Sequence, residues 1–431
     1  MADYIVAIDL GTSHLTGIVG EKKADGTFSI VACETVDTDS CIRRGIIYNR
    51  DNTATHVGNL LRRLERSLNG LFIDKVYIGV GGQSLRTINH VETRDIAEGA
   101  AVTEEDIDFL KEQCRKFKPD NLLDVLAVAP AVYYVDGRKD TNPVGVTCRR
   151  FEAHYKIVIG RPSIRSDIEI SIKQQLSKEV VEILVSPLTL ADAMLSHEDK
   201  ELGCALVDFG AGVTSISVFQ DGNLVHICVI PFGGKLITKD IATMQLTEAN
   251  AEKLKKEHGS VNLQKTDENT SIPIQMEGVT REIKLSDLNA IIEGRTKELV
   301  ENVYARISEV IELQRLGAGI VLAGCAAELN GLPELLADKC NKVKVRNSMI
   351  RKDLVKDTNN MLGNPLYMTA ISLMLKGTVS CVPKSQVKTS NPPVKEDTVD
   401  KSNPPVKEDD KGSGVIKPKK DKWYDRLFSE T

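Results

Sequence analysis

The sequence predicts an α/β protein of two related lobes, with an α+β block at 83–163 set into the first lobe and a polar tail beyond residue 377. Three observations carry that class. The segments AIDLGTSHLTGIVG at 7–20 and LVDFGAGVTSISVF at 206–219 are variants of one pattern: apolar strand, Asp, a Gly/Thr/Ser turn, second apolar strand. Strand and helix signals alternate over 1–82 and again over 181–359, as in layered α/β units. After Gly377 the composition changes: 378–416 has no aromatic residue and carries NPPVKED twice, at 391–397 and 403–409.

Taken in order, strands are expected at 4–10, 15–20 and 27–34, a helix at 51–69, and a strand at 75–80 ending in Gly79-Val80-Gly81-Gly82. In the block, a strand at 84–94 leads to a helix at 103–117. Thr103 caps that helix, and Glu104, Glu105 and Asp106 stand in its first turn, where acidic groups favour a helix N-terminus. Strands near 124–135 and 151–159 follow, and a crossover helix at 165–176 returns to the first lobe. The second lobe opens with strand 180–185 and helix 187–196, then the second Asp–Gly hairpin. Helices at 247–258 and 286–315, strand 319–323 and the turn AGCAAELNGLPELL come next, and NPLYMTAISLMLKG at 364–377 closes the folded part. The expected organisation is a first lobe at 1–82 with 164–180 and 360–377, an inserted domain at 83–163, and a second lobe at 181–359 with an outer subdomain at about 231–300. A disordered linker at 378–416 and a terminal helix at 417–431 complete it. The linker's prolines, lysines and acids bury too little apolar surface to fold.

Composition bounds the function. With 41% apolar and 27% charged residues the 431-residue chain is ordinary for a globular protein, and a net charge of −5 gives no reason to expect nucleic acid. Nine cysteines show no C-x-x-C spacing and no His-rich company, so neither a zinc site nor a disulfide framework is expected and the compartment is read as reducing. The first strand begins near Tyr4, leaving no room for a signal peptide. No run reaches the roughly 18 apolar residues of a membrane span; LLDVLAVAPAVYYV is interrupted by Asp124 and Pro130.

The paired hairpins have a chemistry. Gly11, Thr12 and Ser13 in the first, and Gly210, Gly212 and Thr214 in the second, supply close backbone approach, N–H donors and hydroxyls for phosphate. Asp9 and Asp208 can hold a phosphate-bound magnesium through water. One Asp-x-Gly turn alone is also an ordinary connection between strands. Two copies, one opening each half, imply lobes that face each other across a triphosphate. This pairing resembles the actin/Hsp70/sugar-kinase superfamily, whose duplicated RNase H-like fold takes ATP and Mg2+ in its cleft. The resemblance implies a glycine pair at the ribose, supplied by Gly233-Gly234 in PFGGKLITKDIA at 231–242. It also implies an adenine-side turn, supplied by Gly324 in IVLAGCAAEL at 320–329. That turn departs from the superfamily, which has two or three glycines where this chain keeps Gly324 between Ala323 and Cys325. Glu252 and Lys255, one turn apart on ANAEKLKKEHG at 249–259, either flank an adenosine or belong to a solvated charged face.

Two positions separate binding from hydrolysis. Superfamily members that hydrolyse ATP well place Glu or Gln before the first helix of the second lobe, and this chain reads VSPLTLADAML with Ser186 there. A serine hydroxyl is a poor base at neutral pH. Related chains commonly carry Lys after the first hairpin's turn to meet the phosphates. His14 stands there instead, with an exposed turn residue as its alternative. ATP binding is expected, with weak or no hydrolysis.

The segment PFGGKLITKDIATMQLTEANAEKLKKEHG at 231–259, with VDG…NPVGVTCRRFEAHYKIVIG at 135–160, resembles the FtsA family of bacterial cell-division proteins. The resemblance covers 1–377 and extends into the tail. It implies that 83–163 is an SHS2-type domain standing in for the second subdomain of actin and supplying one end of an actin-like filament contact. It further implies tethering of the tubulin-like FtsZ to the cytoplasmic face of the cell membrane at the division site, with other septal division proteins meeting the inserted domain. The FtsZ C-terminal peptide docks on the outer subdomain in that family. EGRTKEL at 293–299 matches the segment used, so Arg295 is the residue carried over to meet an acidic group; its alternative is a helix-surface pair with Glu298.

The tail has its own pattern. On a helix, Trp423, Tyr424, Leu427 and Phe428 fall within an arc of about 140°, with Lys422, Asp425, Arg426 and Ser429 outside it. Lys417, Lys419 and Lys420 precede them. This fits an amphipathic helix on anionic lipid, the alternatives being a helix folded back on the body or one docked on protein. Three other functions compete. A sugar-kinase-type phosphotransferase would need a substrate-side motif, which is not evident, and a chaperone would need a β domain that the tail is too short to form. A related pilus-assembly ATPase shares the extra block.

Overall fold

The computed structural model describes residues 3–119, 122–262, 270–276, 279–356 and 361–383. The repeats and the terminal helix expected at 417–431 lie outside them.

Continuous apolar runs form the central strands, as expected of sheets covered on both faces. In the first lobe the order is Glu179–Val185, Lys75–Val80, Asp3–Leu10, His14–Lys22, Phe28–Asp37, Val355–Lys356. Asp3–Leu10 runs parallel to Lys75–Val80 and antiparallel to His14–Lys22. The second lobe repeats the plan as Asn223–Ile230, Thr214–Gln220, Cys204–Phe209, Gly319–Ala323, Val345–Asn347. Each Asp–Gly hairpin therefore joins the central strand of its lobe to the next strand outward. Helix Arg50–Ser67 buries Val57, Leu60, Leu61 and Leu64 on the first sheet, and Asn49 caps it by accepting from the Asn52 N–H. Helix Pro365–Leu375 is apolar nearly all round and packs against both the first sheet and helix Ser186–Met194, joining the lobes.

The strands of the inserted block continue the second-lobe sheet, joined to it through the Arg86–Cys228 pair. Arg150–Gly160 pairs antiparallel with Arg86–Asp95, with Val132–Val135 and with Asp124–Val128. Helix Glu104–Arg115 closes it, and Thr103 and Asp106 form the reciprocal cap that the sequence announces. The outer subdomain consists of helices Gly234–Ala242 and Glu248–His258, the hairpin Ser271–Met276/Val279–Lys284 and the start of helix Leu285–Ser308. They share a core that includes Ile237, Leu254, Ile283, Leu288 and Ile292.

Several elements differ from expectation. Strand Glu179–Val185, expected to open the second lobe, pairs parallel with Lys75–Val80 and so belongs to the first-lobe sheet, as does Val355–Lys356, which pairs with Phe28–Asp37. The strand expected over 124–135 is broken, because Pro130 has no N–H to give a ladder. The crossover helix is α-helical over Ser163–Ile168 and then widens to a π-helix over Glu169–Gln174. The helix expected over 286–315 stops at Ser308; Ile311, Leu313 and Leu316 keep the apolar spacing but turn back into the second-lobe core. The linker does not begin at 378. The Cys381 N–H donates to Tyr4 O at 2.7 Å, and its carbonyl accepts from Asp74 at 2.9 Å and Lys75 at 3.2 Å. Thr378 and Val379 donate to the Tyr77 hydroxyl, each at 2.9 Å. Residues 378–383 thus belong to the first lobe, where TVSCVP has enough apolar character to pack.

Candidate nucleotide cleft

In the first hairpin Asp9 opposes Thr16 and Leu10 opposes Leu15, leaving Gly11, Thr12 and Ser13 as the turn. The Thr12 hydroxyl accepts from the Gly45 N–H at 3.0 Å, and the Thr12 carbonyl accepts from the Thr38 hydroxyl at 2.7 Å. In the second, Asp208 opposes Ser215 and Phe209 opposes Thr214, and the Gly210 N–H closes the turn on Val213 O at 3.0 Å. The buried Thr214 hydroxyl donates to Phe232 O at 2.9 Å, fixing where the chain leads into Gly233.

The two hairpins meet. A Cβ at Gly212 would lie 2.5 Å from Thr12 Oγ1, so the lobes are in contact where the turns face each other. Gly233 sits against the same turn: a Cβ there would lie 2.5 Å from Gly210 O and 2.7 Å from Ala211 O. The N–H groups of Gly234 and Lys235 bond to those two carbonyls at 2.9 and 2.8 Å, which docks helix Gly234–Ala242 on the hairpin. Gly324 has φ +86°, and a Cβ there would strike the Asp208 carboxylate. One glycine suffices at that turn because only this position combines left-handed backbone with contact to Asp208.

Asp9 and Asp208 are half-buried and destabilise each other as anions. Burial, and then the charge of Asp208, push Asp9 up to about 7. Burial pushes Asp208 up to about 6. A divalent cation between them would reverse both shifts. Hard oxygen donors beside glycine turns that leave no room for side chains fit a hydrated magnesium carrying phosphate.

Glu252 and Lys255 do not form a solvated face. Lys255 Nζ bonds Glu252 at 2.6 Å, Thr238 Oγ1 at 2.8 Å and Gly234 O at 3.1 Å, bracing helix Glu248–His258 against the first turn of Gly234–Ala242. Burial opposes ionisation of Glu252, but bonds from Lys255 and Thr238 outweigh it and hold the carboxyl below its ordinary range. His14 bonds Asp37 at 3.2 Å. Arg295 is already engaged by Asp240 and Glu298. Sequence reasoning missed the loop that backs Thr12. In it Asp39, Ser40, Arg44 and Gly45 all have positive φ, and its only signal is the turn cluster DTDS at 37–40.

Ser186 opens helix Ser186–Met194, buried, and its hydroxyl has no hydrogen-bond partner among the described residues. A Cβ at Gly79 would lie 2.8 Å from it. Ser186→Glu is expected to lower stability by roughly 2 kcal/mol or more, because it buries a carboxylate without a partner. Thermal unfolding of the variant checks this. An unchanged melting temperature would mean the carboxylate reaches the cleft.

A two-lobed body with a duplicated sheet and facing Asp–Gly hairpins, its first lobe carrying an SHS2 insert, defines the actin-like class. Comparison with known proteins agrees. The family model described as cell division protein FtsA matches residues 205–372, and the SHS2 domain inserted in FtsA matches 82–159. The chain is 30% identical over 387 residues to the cell division protein FtsA of Porphyromonas gingivalis, covering 88% of this chain and 80% of that one. It is 29% identical to that of Bacillus subtilis over 387 residues, covering 86% and 83%. In fold it is similar to a solved PilM-PilN type IV pilus biogenesis complex, with a TM-score of 0.58, 15% identity and coverage of 86% and 97%. The chain belongs to the FtsA family and has an actin-like role in cell division.

Proposed function

We propose that the chain is an ATP-controlled adaptor that self-associates and tethers FtsZ to the cytoplasmic membrane at the division site. The observation that carries this reading is the Thr12–Gly212 contact, which sets two Asp–Gly hairpins face to face with Asp9 and Asp208 beside them. Asp9, Gly11, Thr12 and Ser13 from one lobe, with Asp208, Gly210, Gly212 and Thr214 from the other, hold the phosphates and magnesium. Gly233, Gly234 and Gly324 line the nucleoside, and Glu252 and Lys255 position Gly234 beneath it. Magnesium, when bound, neutralises phosphate charge; the chain's own groups orient it through water and keep the turns open. Ser186 provides no base, so turnover is slow.

Anchoring is assigned to Trp423, Tyr424, Leu427 and Phe428 with Lys419 and Lys420, on anionic lipid; among the described residues no helix is long and apolar enough to cross a membrane. The inserted domain, through filament contacts and other septal proteins, is the second interaction surface.

The FtsZ C-terminal peptide is placed on the outer subdomain at Arg295. Its guanidinium bridges Asp240 on helix Gly234–Ala242 and Glu298 on its own helix, so an incoming carboxylate exchanges with groups already present. Arg295→Glu is expected to weaken peptide binding by roughly 2 kcal/mol or more, with ATP affinity unchanged. Calorimetric titration of both ligands tests the adaptor reading. Unchanged peptide affinity removes Arg295 from the site, and no peptide binding by the unaltered chain overturns the assignment.

A further inference from the structure

The inserted domain grows out of the first lobe yet is hydrogen-bonded to the second. Arg86 opposes Cys228 in an antiparallel pair, which adds the insert's sheet to the edge strand Asn223–Ile230. The Thr87 hydroxyl accepts from the Ile227 N–H at 3.1 Å and pairs with His226 Nδ1 at 3.1 Å. The seam is narrow, because a cavity of about 400 Å³ opens beside it between Asn89, Lys156 and His226. A second contact joins the two parts where Lys139 of the insert approaches Asp221 at 3.7 Å.

The segment that leads into strand Arg86–Asp95 is tied to the first hairpin. Four residues before Arg86, Gly82 lies bare against Gly45: a Cβ on Gly82 would be 2.8 Å from Gly45 O. The Gln83 N–H donates to Arg44 O at 3.1 Å. Gly45 in turn donates to the Thr12 hydroxyl. On the far side, strand Asn223–Ile230 ends with Ile230 opposite Thr214 of the second hairpin. The contacts therefore form a ring: Thr12, Gly45, Gly82, Thr87, Ile227, Thr214, and across the Gly212 contact back to Thr12.

We infer that residues 82–87 are a strap across the two lobes, so that the cleft opens, and nucleotide leaves, only when the Thr87 contacts to strand Asn223–Ile230 break. This rests on the cleft's being the nucleotide site. The strap makes the insert part of the cleft's closure: a ligand that pulls the insert from the edge strand releases nucleotide, and a closed cleft holds the insert in one orientation.

The test is the dissociation of a fluorescent ATP analogue, bound with magnesium to the full chain and chased with unlabelled ATP. Thr87→Val removes the hydroxyl at nearly constant volume and is expected to speed release about five- to tenfold, as loss of a hydrogen-bonded group implies. Thr87→Ser keeps the hydroxyl and the original rate. Arg86→Cys adds a thiol opposite Cys228. Opposed residues of an antiparallel ladder lie about 4.5–5.5 Å apart at Cα, within reach of a disulfide. Oxidised with diamide, and with the cross-link verified by mass, this variant is expected to release the analogue at least about tenfold more slowly and to recover on reduction. A wild-type rate in either Thr87→Val or the cross-linked protein overturns the strap. Failure of the unaltered chain to bind the analogue overturns the cleft reading, and the strap with it.

Discussion

Asp208→Ala is expected to raise the stability of the nucleotide-free protein at neutral pH and at the same time to abolish Mg-ATP binding. Asp208 is held near 6 by burial, against an ordinary 3.8, and Asp9 near 7 by burial and by Asp208. A carboxyl whose folded-state value is raised stabilises the fold fully below its unfolded value and loses that contribution as pH rises through the folded value. These two groups therefore weaken the empty protein progressively between pH 4 and 7. Removing Asp208 deletes one penalty and eases the other. The variant should exceed the parent by roughly 1–3 kcal/mol at pH 7.5, with the difference shrinking as pH falls toward 4. Other carboxylates cancel in the comparison. Urea unfolding at several pH values measures the difference, and a thermal-shift titration with Mg-ATP measures the binding. A variant that is less stable at pH 7.5, or that keeps the ATP-induced shift, would make Asp208 a structural residue and not a site residue.

The second large effect is expected at the other end of the chain. Burying Trp423, Leu427 and Phe428 contributes at most roughly 1.5–3 kcal/mol each, and helix ordering with partial immersion reduces that sum. Basic residues near anionic lipid add about 1 kcal/mol apiece, offset by Asp421 and Asp425. On the proposed reading one tail should hold a monomer weakly and reversibly, and tails linked along a filament should act at high effective concentration, raising avidity by ~10²-fold or more. Trp423→Glu or Phe428→Glu should release the protein from liposomes with ATP binding intact, while high salt weakens attachment only in part because the apolar face remains. Continued sedimentation of the Glu variants would mean that the tail is not the anchor. Equal attachment of monomers and filaments would remove the avidity argument.

The facing hairpins were legible because each is local in the chain. Asp9 with Gly11–Ser13, and Asp208 with Gly210–Thr214, each lie within a few residues, and duplication 200 residues apart turns a common turn into a paired site. Glu252 and Lys255 were found by helical spacing, but their bonds to Gly234 and Thr238 depend on another helix and could not be read from ANAEKLKKEHG alone. The loop behind Thr12 and the Thr87 seam were invisible for the same reason: Thr38, Gly45 and His226 become neighbours of Thr12 and Thr87 only through the sheets. Pro273 and the short alternation of SIPIQM hid the outer hairpin. The fold's end was misplaced because the composition shift is gradual, and Cys381 is an apolar residue just past where it starts.

The adaptor reading is tested most directly by co-sedimentation of FtsZ with anionic liposomes, in the presence or absence of the full chain and of Mg-ATP. FtsZ is expected in the pellet only when the chain is present, more of it with Mg-ATP, and to return to the supernatant with Arg295→Glu or Trp423→Glu. If the chain pellets with the liposomes while FtsZ stays in solution under all these conditions, it is not the tether.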